Sequence, residues 1–170
     1  MLCALLPLGP AAAQRQPARK PAPAAEPGGP KALGRFESWT AATHEESGQT
    51  VCYAFTYATN STPAIAGRPK AVLTVTERPT GRDAVAISAG FQYPTGAEVT
   101  AQLEQSALNF YTSGNSAFAR ESAVAVAALQ KARQIVARSP NPRGGGQIVD
   151  TFSLRGFNQA YQAINKACPR

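Results

Sequence analysis

The stretch Val51-Cys52-Tyr53-Ala54-Phe55-Thr56-Tyr57 decides the fold class. Large residues at 51, 53, 55 and 57 alternate with smaller ones at 52, 54 and 56. A period of two puts the two sets on opposite faces of an extended strand. Cys52 falls on the small-residue face. The same signal recurs downstream. Ala71-Val72-Leu73-Thr74-Val75-Thr76 is a second clear strand, and Pro79 ends it because proline has no N–H for a ladder. Thr80 to Asp83 reads as a turn and Ala84 to Phe91 as the next strand. Pro94-Thr95-Gly96 turns the chain again, and shorter strands follow over 99–103, 107–111 and 116–119. Upstream, Phe36-Glu37-Ser38-Trp39-Thr40 reads as the first strand, with a polar loop from Thr43 to Thr50. Asn60 to Lys70, with Pro63, Gly67 and Pro69, reads as another loop.

Two segments read as helices. Glu121 to Lys131 is alanine-rich, with Ser122 as its N-cap and Glu121 at the positive end of the helix. Near the C-terminus, Phe157, Tyr161, Ile164 and Cys168 follow i, i+4, i+7, i+11 and share one apolar stripe. Between the helices, residues 133–138 and 147–154 are strand-like and flank the Pro/Gly-rich stretch 139–146, which makes them a hairpin with a long loop. Seven to nine short strands with regular turn signals predict a mainly β fold, a β-sandwich with two short helices, one of them C-terminal.

The 170 residues suit one domain with one core. Met1 to Ala13 reads as the remnant of a signal peptide, an apolar run followed by the small-residue box Ala11-Ala12-Ala13. No apolar run approaches the roughly 20 residues that span a bilayer. Residues 14–35 are rich in Pro, Ala and Gly and read as a basic, disordered linker. They hold five basic residues and Glu26 alone, a charge of +4, leaving +3 for the domain over 36–170. Such a tail can attach weakly to anionic lipid or cell-wall polymer. Cleavage after Ala13 removes Cys3 and leaves Cys52 and Cys168, which in an oxidising compartment have one possible pairing. Two buried free thiols are the alternative.

Catalytic signatures are weak. His44, within Thr43-His44-Glu45-Glu46-Ser47-Gly48, is the single histidine, whereas a metal site asks for three or four ligands. It reads as part of a solvated turn. Gly114-Asn115-Ser116-Ala117-Phe118 lacks the final glycine of a nucleophile elbow. The carboxylate pairs Glu77/Asp83 and Glu98/Glu104 read as solvated strand ends. Arg143-Gly144-Gly145-Gly146 precedes a strand rather than a helix, so it is a hairpin turn and not a phosphate cradle. No cofactor or metal is implied, and scattered basic residues behind an export signal do not suggest nucleic acid. The aromatic set Phe36, Trp39, Tyr53, Phe55 and Tyr57 reads as core packing between the first two strands. Any of these on an open face would form a binding patch.

Several motifs together resemble the invasion-associated locus B family of bacterial envelope proteins. They are Phe36-x-x-Trp39, Val51-Cys52-Tyr53, Thr74-Val75-Thr76-Glu77-Arg78-Pro79, Tyr93-Pro94-x-Gly96 and Val126-Ala127-Ala128-Leu129. The most specific are Asp150-Thr151-Phe152-Ser153-Leu154-Arg155-Gly156-Phe157 and Ala163-Ile164-Asn165-Lys166-Ala167-Cys168-Pro169. The resemblance implies an immunoglobulin-type β-sandwich, export to the periplasm or outer surface and a link to host-cell invasion, and it carries over no catalytic residues. Cys52 and Cys168 match the family's cysteines, while the long Pro-rich tail departs from its pattern. The expected function is therefore a non-enzymatic envelope protein that binds an envelope or host protein. Two alternatives stand beside it: an envelope hydrolase or metal-dependent enzyme using His44 and nearby carboxylates, and a structural spacer docked on cell-wall polymer by its basic tail.

Overall fold

The structure, a computed structural model, describes residues 29–170. The signal-peptide remnant over 1–13 and most of the linker over 14–35 lie outside the described residues. The strands are β1 (Lys31–Phe36), β2 (Trp39–Glu46), β3 (Gln49–Tyr57), β4 (Asn60–Thr62), β5 (Val72–Arg78), β6 (Gly81–Ser88), β7 (Glu98–Gln102), β8 (Ala107–Ser113), β9 (Ser116–Ala119), β10 (Gln134–Pro140) and β11 (Gln147–Ser153). Helix α1 (Ser122–Leu129) lies between β9 and β10, and α2 (Phe157–Ala167) closes the chain.

All strands join one antiparallel sheet in the order β1-β2-β3-β5-β6-β9-β8-β7-β10-β11-β4. The sheet closes on itself, because β4 is the continuation of β3 after only Ala58 and Thr59. The Ala58 N–H donates to Ala71 O at 2.8 Å and the Thr59 N–H to Thr151 O at 2.8 Å. One extended stretch thus pairs with β2 and β5 along its first part and with β11 at its end. Leu73, Val75 and Ile87 from one half meet Phe110, Ile135 and Phe152 from the other in a single buried core. The fold is mainly β, of sandwich type, with two helices. Its hydrogen bonding runs unbroken where an immunoglobulin domain has two separate sheets.

The N-terminal third differs from the sequence reading. Phe36 to Thr40 is a hairpin rather than a strand: Phe36 pairs with Trp39 across Glu37-Ser38, and Glu37 has φ 49°. The first strand therefore starts at Lys31, inside the stretch read as linker. Backbone pairing with β2, from Lys31↔Thr43 to Phe36↔Trp39, supplies what its few apolar side chains do not. The polar stretch 43–50 is also a hairpin. Thr43 to Glu46 remain in β2 and pair with residues 49–52, around a turn at Ser47 and Gly48 with φ 52° and 77°. Positive φ at both turn residues matches the twist of the flanking strands. Helix α1 runs Ser122–Leu129 rather than from Glu121 to Lys131, and Glu121, not Ser122, is its N-cap, with no side-chain cap.

Helix α2 buries Phe157, Ala160 and Ile164 against the inner side of β1, β2 and β3. Its start is fixed by a close approach. Gly156 has φ +88°, and a Cβ there would lie 2.0 Å from Phe36 O. Its end is fixed covalently, since Cys168, one residue past the helix, forms a disulfide with Cys52 across 116 residues, with Cα atoms 6.0 Å apart.

Two outcomes follow from this anchoring. Gly156→Ala should cost about 3 kcal/mol in denaturant unfolding, whereas Gly144→Ala, with φ +78° but open space around it, should cost only about 1 kcal/mol. Equal midpoints for the two variants would contradict the packing argument. Cys52→Ser with Cys168→Ser should lower stability by about 4–5 kcal/mol, the loop-closure value for a loop of this length, measured against the oxidised wild type.

Candidate functional site

From Cys52 onward the two faces of β3 have opposite fates, while Val51, on the aromatic side, is buried. Cys52, Ala54 and Thr56 are buried, while Tyr53 and Phe55 are half-buried and Tyr57 is 53% exposed. Of the aromatic set read as core, only Trp39 is fully buried and Phe36 packs against the core edge. Tyr53, Phe55 and Tyr57 lie outside, and they form a ladder with His44. The His44 ring stands edge-on to Tyr53 at 5.3 Å, Tyr53 stacks on Phe55 at 6.0 Å, and Phe55 meets Tyr57 edge-on at 5.7 Å. These distances suit favourable aromatic pairs.

The ladder borders a shallow groove of about 540 Å³, walled by Pro30, His44, Tyr53, Phe55, Thr74 and Arg78 among others. The same face continues across the sheet. Register runs Phe55↔Thr74↔Ala86↔Phe118↔Tyr111, and Phe118 stacks on Tyr111 at 5.6 Å. Tyr111 is 45% exposed, with the Arg120 guanidinium 5.9 Å from its ring. Ion pairs flank both aromatic groups: Arg78–Glu46 at 2.7 Å and Arg120–Glu98 at 2.6 Å. The Arg78 hydrogen bond holds the Glu46 carboxyl below its ordinary range. A second groove, of about 580 Å³, runs between α1 and the β7–β8 turn past Glu104, Lys131 and Arg133. It has no aromatic wall, so the β3 face is the better candidate for recognition.

His44 is a strand residue on the aromatic face, not part of a turn, because β2 extends to Glu46. The other proposed chemical groups are dispersed. Ser116 opens β9 and shares a hydrogen bond with Ser88 at 3.3 Å. Glu98 pairs with Arg120, and Glu104 accepts the Arg133 N–H at 3.0 Å. Gly144 to Gly146 lie in the β10–β11 loop. Among the described residues no three or more His, Cys, Asp and Glu side chains gather as a metal site. No helix among them is long and apolar enough to cross a membrane.

Glu77 and Asp83 are not solvated strand ends. Glu77 is fully buried opposite Cys52, and Asp83 is nearly so. α2 covers this end of the sheet, and the sequence pattern of β5 gives no sign of it. Glu77 Oε2 accepts the Asp83 N–H at 3.2 Å, while Oε1 has no partner. Arg82 Nε lies 2.9 Å from Oε2, but its N–H is out of line, so this is an ion pair without a hydrogen bond. The rest of Arg82 ties down the end of α2, donating to Cys168 O at 2.9 Å and Asn165 Oδ1 at 2.7 Å. The Tyr161 hydroxyl donates to Asp83 Oδ1. Burial, then that bond, pushes Tyr161 up to about 12. Burial raises the Glu77 carboxyl above its ordinary value, against the opposing Asp83 N–H and Arg82. A second buried pair went unread in the sequence: Arg68 grips Asp150 with two bonds, of 2.9 and 2.7 Å, and Ser61 donates to the same carboxylate at 2.6 Å. The Arg68–Asp150 cluster is enclosed. Around Glu77 and Asp83, the partly exposed Arg82 and Tyr161 and the exposed Arg170, 3.4 Å from Asp83 Oδ2, close the cluster from the surface. Both clusters therefore hold elements together.

Fold and site together define a disulfide-stapled, mainly β module with an aromatic outer face. The family model described as invasion associated locus B (IalB) protein matches residues 39–165, and the chain belongs to that family. The crystal structure of invasion associated protein B from Bartonella henselae has a similar fold, with a TM-score of 0.57 at 13% identity, covering 79% of this chain and 95% of that one. No curated protein sequence matches the chain.

The raised Glu77 carboxyl has a defined pH signature. The unfolded chain ionises Glu77 near 4.5, while the folded chain holds the proton to higher pH. As pH rises above 4.5, the unfolded state therefore releases this proton first, and the folded state loses stability relative to it. Glu77→Gln lacks this loss. The Tm of the variant minus that of the wild type should be flat below pH 4.5 and climb as pH rises above 4.5 until the folded carboxyl has ionised, by on the order of 3 °C for each kcal/mol. A difference that falls over that range in calorimetry would reverse the assignment.

Proposed function

We propose that the protein is an exported, non-enzymatic envelope protein that binds an envelope or host component through its outer aromatic face. The observation behind this is the ladder of His44 from β2 with Tyr53, Phe55 and Tyr57 from β3, which stays on the outer side while Cys52, Ala54 and Thr56 fill the interior. Aromatic side chains are the usual anchors of recognition surfaces, and a contiguous apolar patch at the surface is a mark of interaction sites. The disulfide and the family both fit export. The name of the family, with that of the Bartonella protein, supports a link to host-cell invasion. The periplasm or the outer surface is the proposed location.

The enzymatic alternative has no observation in its favour. His44 is packed edge-on to Tyr53, and the carboxylate two residues along its face, Glu46, is engaged by Arg78. A general base needs a partner to orient it.

The test is retention of a defined envelope or host component by the immobilised protein, identified by mass spectrometry. Tyr53→Ser with Phe55→Ser and Tyr57→Ser should reduce that retention at least tenfold, the effect of about 1.4 kcal/mol. His44→Ala should reduce it only a few-fold. Circular dichroism should show the fold intact in both. Equal retention by the triple variant would place recognition elsewhere.

A further inference from the structure

Pro30, the second described residue, forms one wall of the groove made with His44, Tyr53, Phe55, Thr74 and Arg78. The chain therefore enters β1 from beside the outer aromatic face. The fifteen residues before Gly29, numbers 14–28, are QRQPARKPAPAAEPG, with prolines at 17, 21, 23 and 27. Proline-rich chains favour the polyproline II conformation, with about 3 residues per turn and no internal hydrogen bonds. Pro27 and Pro30 are three residues apart, so in that conformation they share a face. Grooves lined by aromatic rings are the recurring receptors for such segments. Here Tyr53, Phe55 and Tyr57 supply rings along one strand, while Thr74, Thr76 and Arg78 line the same groove with donors for free carbonyls.

We propose that residues 14–28 dock on this face as an extended polyproline segment and cover it when no partner is bound. The reach is ample. Tyr53 to Tyr57 spans about 13 Å at roughly 3.3 Å per residue, which four or five residues cover at about 3.1 Å each. Attachment next to the groove gives the segment an effective concentration on the order of millimolar, enough for a weak contact to be populated. An external ligand must then displace the tail, which makes the tail a competitive cover. The proposal rests on the reading of this face as a binding surface, and not on the identity of the external partner.

The experiment compares NMR spectra of the full chain with those of a full-length variant carrying Pro17→Ser, Pro21→Ser, Pro23→Ser and Pro27→Ser. Ring and amide signals of His44, Tyr53, Phe55 and Tyr57 should differ between the two proteins, while those of Trp39 and Phe110, inside the core, coincide. A synthetic peptide of residues 14–28, added to the variant, should move the same signals back towards their wild-type positions. Coincident face signals in the two proteins, or no response to the peptide, would overturn the proposal. So would wild-type shifts that grow with protein concentration, which would give the face to a second copy. The two readings of this face fail separately. Partner retention that depends on Tyr57 with no tail effect in NMR removes only the tail cover. A tail effect without Tyr57-dependent retention removes only the external partner.

Discussion

Trp39 and Phe157 pack with ring centroids 4.8 Å apart, and much of the structure depends on that contact. Trp39 is held from one side by its indole N–H on Ser153 O at 3.0 Å. Phe157 is held from the other by Gly156, whose missing Cβ lets the start of α2 sit against the backbone of Phe36. These two rings fill the space between the inner side of β2 and the helix. The neighbouring strand then has room inside only for Cys52, Ala54 and Thr56, all of them buried. Two consequences follow together. Cys52 comes within disulfide distance of the helix end, and Tyr53, Phe55 and Tyr57 are turned to the outer side. The staple and the aromatic face are two results of one packing constraint.

Polar contacts lock the parts that this packing brings together. Arg82 joins the start of β6 to the end of α2, and Arg68 joins the β4–β5 loop to β11. Each links segments more than 80 residues apart, and each buries charge. Taking charge out of water offsets most of the Coulombic gain, so these pairs add little net stability. Their effect is geometric, because a misplaced partner would strand a buried charge. Glu77 shows the strain in this arrangement, with one carboxylate oxygen left unpartnered beneath the disulfide.

The elements legible in the sequence are those with one wet and one dry face. β5, β9, β11 and α2 follow their expected spans closely because period 2 or 3.6 reports such a face directly. By contrast, β6 runs Gly81–Ser88, three residues earlier than the span 84–91 read for it, because the turn is only Pro79-Thr80 and Arg78 already pairs with Gly81. The two N-terminal hairpins were not legible. Their turns are two residues long, and one sits between Phe36 and Trp39, where an apolar-x-x-apolar string also fits a strand. The other carries its strands on polar residues that project beyond the core. The candidate site was half legible. Alternation separates Tyr53, Phe55 and Tyr57 from Cys52, Ala54 and Thr56, but it cannot say which set faces inwards. Bulk argues for the aromatics, and the helix overrides it. Nor does local pattern reveal that Glu77 lies opposite Cys52, since that depends on strand register and on α2 covering both.

An outward aromatic row brings a liability, and its setting shows how the fold contains it. β3 is paired on both sides, so the row offers no free backbone edge to another strand. The open edge near it is β1, which carries Lys31 and Arg35 and a register irregularity between Ala32 and Gly34, features that discourage edge-to-edge pairing. At either side of the aromatic face lie Arg78–Glu46 and Arg120–Glu98, with side chains between 39 and 66% exposed. Exposed pairs of this kind contribute little to stability. Their position has a clearer meaning, because a ring of charge around an apolar centre is the anatomy of a recognition surface, with the rim kept wet and the centre free to be covered. The pairs at the margin and the rings at the centre are then parts of one surface, built outward from the contact between Trp39 and Phe157.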